Sequence, residues 1–181
     1  MGDNSTLGPA IGSTSMPELP DITVYLEPLE SRILGKAMTA ARIVNPFVLR
    51  TVDRPIERVV GLPITGFRRM GKRIVIEFEN DLFLVIHLMI AGRLRWRDPG
   101  GSVVRPTPLA RFEFDNGVLV LTEAGKQRRA SIHLIEGEMN LVQFERGGLE
   151  VLGSSLDDFA DRLQSENHTL KRSLTDPTLF S

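Results

Sequence analysis

The stretch from Arg73 to His87, RIVIEFENDLFLVIH, reads as two β-strands, Arg73–Glu79 and Leu82–His87, joined as a hairpin through Asn80-Asp81. Both arms are rich in the β-branched and aromatic residues that pack well on a pleated surface. The pattern continues outward: from Met38 to about Ile135 apolar residues recur with period two, with turn dipeptides at short intervals. Further strands are expected at Thr39–Asn45, Val59–Arg68, Arg93–Trp96, Ala110–Phe114, Val118–Thr122 and Ser131–Ile135. Asp115-Asn116-Gly117 joins two of them, and Asn-Gly is a strong hairpin signal. Many short strands with close turns predict an antiparallel sandwich or barrel.

The β-rich body is flanked by helix on both sides. Ile22, Tyr25, Leu26, Leu29 and Ile33 recur at helical spacing and Gly35 follows as a stop, predicting a helix over Glu18–Leu34. Pro28 lies inside it and is expected to cost about 3 kcal/mol or to kink the helix. After Phe144 the pattern returns to helix: Leu156–Leu163, a polar break at Ser165-Glu166-Asn167, then Leu170 and Leu174 on a helix ended by Asp176-Pro177. Residues 1–15 are small, rich in Gly, Ser and Thr and aperiodic, and read as a disordered leader. The expected divisions are therefore 1–15, 16–145 and 146–181, the last a linker with the opening of a helical module.

Composition narrows the chemistry. With 181 residues and 41% hydrophobic content the chain holds one sizeable core, and no apolar run reaches the roughly 18 residues a membrane helix needs. Zero cysteines exclude thiolate metal sites and cysteine nucleophiles. His87, His133 and His168 have no metal-ligand spacing, so no cofactor is expected within this chain. The net charge is −1, but the bases are clustered. Arg68, Arg69, Lys72 and Arg73, then Arg93, Arg95 and Arg97, then Lys126, Arg128 and Arg129 hold ten of the 22 Lys and Arg residues without an intervening acid in any group. Brought to one face they form a positive surface for nucleic acid; left apart they are solvated strand ends. His87 and His133 lie in apolar strands, where a structural, hydrogen-bonded histidine is the ordinary reading.

The junction Met16-Pro17-Glu18-Leu19-Pro20-Asp21, opening an amphipathic helix ahead of a β-rich body, resembles the N-terminus of the formamidopyrimidine-DNA glycosylase / endonuclease VIII family of base-excision repair enzymes. Other landmarks follow in the family's order. RRMGKR (Arg68–Arg73) is similar to its β-turn with a DNA-contacting lysine, and HLMIAGRLRW (His87–Trp96) to its HLGMSG-type loop. TEAGKQRR (Thr122–Arg129) is similar to its TDPRRFG-type segment, and HTLKRSLTDPTLFS (His168–Ser181) to the opening of its helix–two-turn–helix module. The resemblance covers residues 16–181. It implies a mainly β fold with helices: an antiparallel two-layer sandwich flanked by an N-terminal helix, then the start of the helical module. A family zinc finger would lie beyond Ser181.

The resemblance also implies a mechanism. With Met16 removed, Pro17 presents a secondary α-amine, and α-amino groups titrate near pH 8, far below lysine. In the family that nitrogen attacks the sugar C1′ of a damaged nucleotide, expels the base and forms an iminium, whose sugar loses its phosphates by β- and δ-elimination. Glu18 matches the general acid/base and Lys72 the phosphate and sugar clamp. Arg68 and Arg69 join the expected DNA contacts. Met89 or Ile90 is the wedge that fills the stack left by the extruded nucleotide. Arg128 or Arg129 faces the orphaned base, with Ala130 where the family carries an aromatic. Expected is a bifunctional glycosylase and AP lyase for oxidised purines, a monomer acting on damaged double-stranded DNA, cytoplasmic and nucleoid-associated if bacterial, with no membrane partner. A chain retaining residues 1–16 has an internal Pro17 and is expected to lack the lyase step. The rival readings are a catalytically silent DNA-binding relative or fragment, and a β-sandwich protein-interaction module.

Overall fold

Ile22, Tyr25, Leu29 and Ile33 form the fully buried face of α1 (Leu19–Ile33), as their spacing requires. Leu26, on the flank of that face, is only partly buried. The helix runs unbroken through Pro28. Proline lacks the N–H that would bond the Val24 carbonyl, and Val24 lies on the exposed side. The computed structural model describes residues 19–51, 53–100, 107–124, 128–145 and 147–180. The leader at 1–15, Pro17 and Glu18 lie outside the described residues.

Eight strands follow among the described residues: β1 (Ala40–Ile43), β2 (Ile64–Met70), β3 (Arg73–Phe78), β4 (Leu82–His87), β5 (Gly92–Arg97), β6 (Pro108–Phe114), β7 (Gly117–Glu123) and β8 (Ser131–Glu136). They form two antiparallel four-stranded sheets, ordered β1-β6-β7-β5 and β2-β3-β4-β8. Alternation aims Leu94, Trp96, Phe112, Leu119 and Leu121 of the first sheet, and Ile74, Ile76, Leu84, Ile86, Ile132 and Leu134 of the second, into one shared core with α1. The expected two-layer antiparallel sandwich is therefore the fold.

Local departures have local causes. The strand expected over Val59–Arg68 is two elements, because Gly61 turns the chain at φ +83° and Pro63 follows; Val59 ends a 3-10 turn (Ile56–Val59) and β2 begins only at Ile64. Asn80 and Asp81 take left-handed conformations, φ +64° and +57°, which Asn and Asp tolerate, and Glu79 belongs to their loop rather than to β3. At the second hairpin the turn is Asp115-Asn116, and Gly117 already pairs with Phe114. Gly117 is needed for packing: a Cβ there would lie 2.6 Å from the Trp96 ring and 2.5 Å from the Arg97 carbonyl oxygen.

The chain divides into two compact units, Met1–Glu138 and Met139–Ser181, a boundary ahead of the one expected at 145/146. In the second unit α2 (Leu156–Gln164) opens on a capping box: the Ser155 hydroxyl accepts the Asp158 N–H at 3.1 Å, and Asp158 accepts the Ser155 N–H at 3.2 Å. α3 (Leu170–Thr175) follows, and the Phe159 and Phe180 rings meet at 4.9 Å. No described helix is long and apolar enough to cross a membrane.

Candidate functional site

Strand register gathers three connections at one end of the sandwich. Met70 pairs with Arg73 around the Gly71-Lys72 turn, Arg73 pairs with His87, and His87 pairs with Ser131. In the other sheet Gly92 pairs with Glu123. The loop 88–91 from β4 to β5, the end of β7 at Glu123 and the start of β8 at Ser131 therefore lie at the same end as the Lys72 turn. The Ala124 N–H donates to the Ala91 carbonyl at 3.3 Å and ties the end of β7 to the 88–91 loop.

Helix α1 points toward the same end. Its last turn is held at the opposite one, where the Asn116 side chain donates to the Arg32 carbonyl at 3.0 Å and Lys36 pairs with Asp115 at 2.9 Å. Tyr25 sits at the level of Leu94, whose backbone N–H bonds its phenolic oxygen, so α1 also covers the free edge of β5. Burial pushes the Tyr25 pKa up, against the lowering effect of Arg93 and the Leu94 N–H. Leu19, six residues earlier, begins about 9 Å further toward the loops.

Each loop is braced from within. Gly71 takes φ +55° and its carbonyl accepts the Arg69 guanidinium at 3.0 Å, which leaves Lys72 exposed at the tip. Arg69, expected at the DNA, thus supports the turn that presents Lys72. In the second loop Leu88 is fully buried as an anchor, and its carbonyl accepts the Gly92 N–H at 2.9 Å. Met89 turns the chain at φ +54° and is half-buried, while Ile90 is exposed. The Arg93 guanidinium holds the Ile90 carbonyl at 3.1 Å and the Gly92 carbonyl at 2.7 Å.

In the third loop the carboxylate of Glu123, only 4% exposed, accepts the N–H of Arg129 at 2.9 and 3.0 Å and that of Ala130 at 3.2 and 3.3 Å. Arg128 and Arg129 are exposed, and Ala130 is buried. Lys126 lies outside the described residues. Sequence reading overlooked Glu123 and the bracing role of Arg93; the one available signal for Glu123 was an acid ending an otherwise apolar strand.

Arg68 stands apart from this group. Its guanidinium pairs with Glu77, is held by both oxygens of Glu138 at 2.7 and 2.6 Å, and lies 5.4 Å from the Phe83 ring centre. The pairing holds the Glu138 carboxyl below its ordinary range and raises the arginine further. Arg68 is thus occupied by carboxylates on the outer face of the second sheet. Arg93, Arg95 and Arg97 share the outer face of the first sheet with Arg42 and Arg111. A shallow groove of about 580 Å3, lined by Ala41, Ile43, Pro46, Leu49, Thr51 and Arg54 among others, runs beside β1 and shares no residue with the loop cluster.

Residues 16–130 match the model of the formamidopyrimidine-DNA glycosylase N-terminal domain. The chain belongs to this family. The formamidopyrimidine-DNA glycosylase of Mycoplasma genitalium is 25% identical over 170 residues, covering 92% of this chain and 60% of that protein. The enzyme of that name from Solibacter usitatus is 29% identical over 167 residues, covering 91% and 60%. Among solved structures, Lactococcus lactis Fpg with an abasic site containing DNA superposes at a TM-score of 0.80 with 23% identity, over 91% of this chain and 62% of that one. That likeness is one of fold. The chain thus spans about 60% of the length of these formamidopyrimidine-DNA glycosylases.

Proposed function

We propose that this chain is the catalytic β-sandwich part of a base-excision DNA glycosylase with AP lyase activity, acting on oxidised purines in double-stranded DNA. The observation that carries the reading is the convergence at one end of the sandwich of Lys72, Ile90, Arg128 and Arg129, with the first turn of α1 directed toward them. Pro17, freed of Met16, is the nucleophile at C1′. Glu18 protonates the opening sugar and shuttles protons through the eliminations. Lys72, exposed on its turn, clamps phosphate and sugar beside the lesion.

Ile90 is the wedge rather than Met89: of the two it is the exposed side chain, on a loop anchored by Leu88 and fixed by Arg93. Arg128 and Arg129 face the strand left behind. Because Ala130 is small, no aromatic accompanies them, which leaves the choice of opposite base to the two arginines. The protein works as a monomer on DNA in the cytoplasm, at the nucleoid if the cell is bacterial. A form that keeps residues 1–16 binds DNA without forming the iminium.

The test is excision on duplexes carrying 8-oxoguanine or formamidopyrimidine, with the chain processed to begin at Pro17. Base release followed by strand nicking is expected, with Glu18→Gln binding the duplex but releasing no base. Equal release from Glu18→Gln would remove the assignment of Glu18.

A further inference from the structure

Helix α1 has a joint at Pro28, which supplies no N–H to the Val24 carbonyl and so interrupts the hydrogen-bond ladder between the half before it and the half after it. The half after Pro28 is fastened by directional contacts. The Asn116 side chain donates to the Arg32 carbonyl at 3.0 Å, and Lys36 pairs with Asp115 at 2.9 Å. Just past the helix the Gly35 N–H donates to the Ile64 carbonyl at 2.9 Å, and the Ile64 N–H to the Lys36 carbonyl at 3.0 Å. All of these lie beyond the joint from the half that leads to Pro17 and Glu18.

In that leading half Ile22 and Tyr25 are buried. Apolar burial sets how deep a helix lies, but it is non-directional and fixes position along a sheet edge only loosely. The Tyr25 hydroxyl adds a direction. Its oxygen accepts the Leu94 N–H, on β5, an end strand of its sheet. Both residues are only 1% exposed, so water does not replace this bond when it is lost. Arg93, the residue before Leu94, holds the Ile90 and Gly92 carbonyls. Arg93-Leu94 therefore holds both the loop that carries Ile90 and the leading half of α1.

We propose that Tyr25 is a positioning residue for base release: its hydroxyl, bonded to the Leu94 N–H, sets the leading half of α1 along β5 and so places Pro17 and Glu18 against the loop that carries Ile90. The inference rests on the reading of Pro17 and Glu18 as the reacting groups, and it adds a residue that acts through the helix without touching substrate. The chemical step is sensitive to such placement, since a displacement of about 1 Å costs on the order of a hundredfold in rate. Duplex affinity is not, because Lys72, Arg128 and Arg129 stand on other elements. The joint supplies a second expectation. Pro28→Ala restores the N–H to the Val24 carbonyl, lets the contacts around Arg32 and Lys36 hold the whole helix, and makes the Tyr25 hydroxyl dispensable.

The test uses the chain beginning at Pro17 and a duplex carrying 8-oxoguanine, with single-turnover base release, fluorescence anisotropy for duplex affinity and amide hydrogen exchange at Leu94. Tyr25→Phe keeps the ring and removes the hydroxyl. It should slow base release about ten- to a hundredfold at unchanged duplex affinity and speed exchange of the Leu94 amide. The double variant Tyr25→Phe/Pro28→Ala should regain most of the rate, and Ile33→Val, a loss of packing at the fastened end, should keep the parent rate. Base release by Tyr25→Phe at the parent rate, unchanged Leu94 exchange, equal slowing by Ile33→Val, or no recovery in the double variant overturns the positioning role. The two readings fail differently. If the parent chain releases base and Tyr25→Phe matches it, the role of Tyr25 alone falls; if the parent chain releases no base, the reading of Pro17 and Glu18 falls and takes this inference with it.

Discussion

The carboxylate of Glu123 and the backbone N–H of Arg129 meet at 2.9 and 3.0 Å, joining a buried acid at the end of β7 to a segment whose Arg128 and Arg129 side chains are exposed. One buried acid thereby determines the path of the segment that carries Arg128 and Arg129. Replacing it by alanine leaves the Arg129 and Ala130 donors without an acceptor, a loss of about 1–3 kcal/mol for each buried group. Denaturant unfolding should show Glu123→Ala well below wild type and Glu123→Gln between them, because the amide oxygen keeps one acceptor.

Gly92 is the next test of loop geometry. A Cβ at that position would sit 2.2 Å from the Leu88 carbonyl oxygen, backbone that moves only if the whole loop moves. Gly92→Ala should cost about 1–3 kcal/mol by denaturant midpoint. It should also reduce duplex affinity, since Ile90 lies between the two clashing residues.

Leu88 and Ile90 separate stability from function two residues apart. Leu88 is fully buried, whereas Ile90 is 42% exposed. Leu88→Ala should lose about 2–5 kcal/mol as a cavity opens in the core. Ile90→Ala should leave the melting temperature close to wild type yet slow base release, because nothing then fills the stack behind the extruded nucleotide. Equal slowing by Met89→Ala, with Ile90→Ala unaffected, would move the wedge to Met89.

Acid stability should show the ion pairs away from the site. Arg58 first, by hydrogen bond and charge, and Arg54 second lower the Glu136 pKa from 4.5 to about 2. Its unfolded form binds the proton first on acidification, so the stabilisation is present above pH 4.5 and disappears as pH falls toward about 2. Thermal melts of wild type and Glu136→Gln should differ at neutral pH and converge across that interval.

Much of this was legible in the sequence, for identifiable reasons. β3, β4 and β8 are buried over short runs bounded by turns, so their apolar residues marked them, and the helical spacing of Ile22, Tyr25, Leu29 and Ile33 marked α1. Val59 misled because an apolar residue at the end of a 3-10 turn has the same composition as a strand start; only Gly61 and Pro63 carried the break. Gly117 has the composition of a turn residue, yet its constraint comes from Trp96 on another strand, which no local pattern encodes. The site divides in the same way. Lys72 and Ile90 sit on loop tips that composition reveals. Which arginine is exposed and which is engaged depends on Glu77, Glu138 and the Gly71 carbonyl, partners supplied by folding.

The central claim concerns the nitrogen of Pro17. While residue 16 is attached, that nitrogen is a tertiary amide with its lone pair delocalised into the carbonyl, and it forms no iminium. Borohydride reduction in the presence of lesion-containing duplex, followed by mass mapping of the adduct, tests this directly. A chain beginning at Pro17 should be trapped covalently through Pro17, with trapping weakened in Pro17→Gly, and the chain retaining Met1 to Met16 should not be trapped. Efficient trapping of the longer chain with those residues still attached, or an adduct mapped to Lys72, would contradict it.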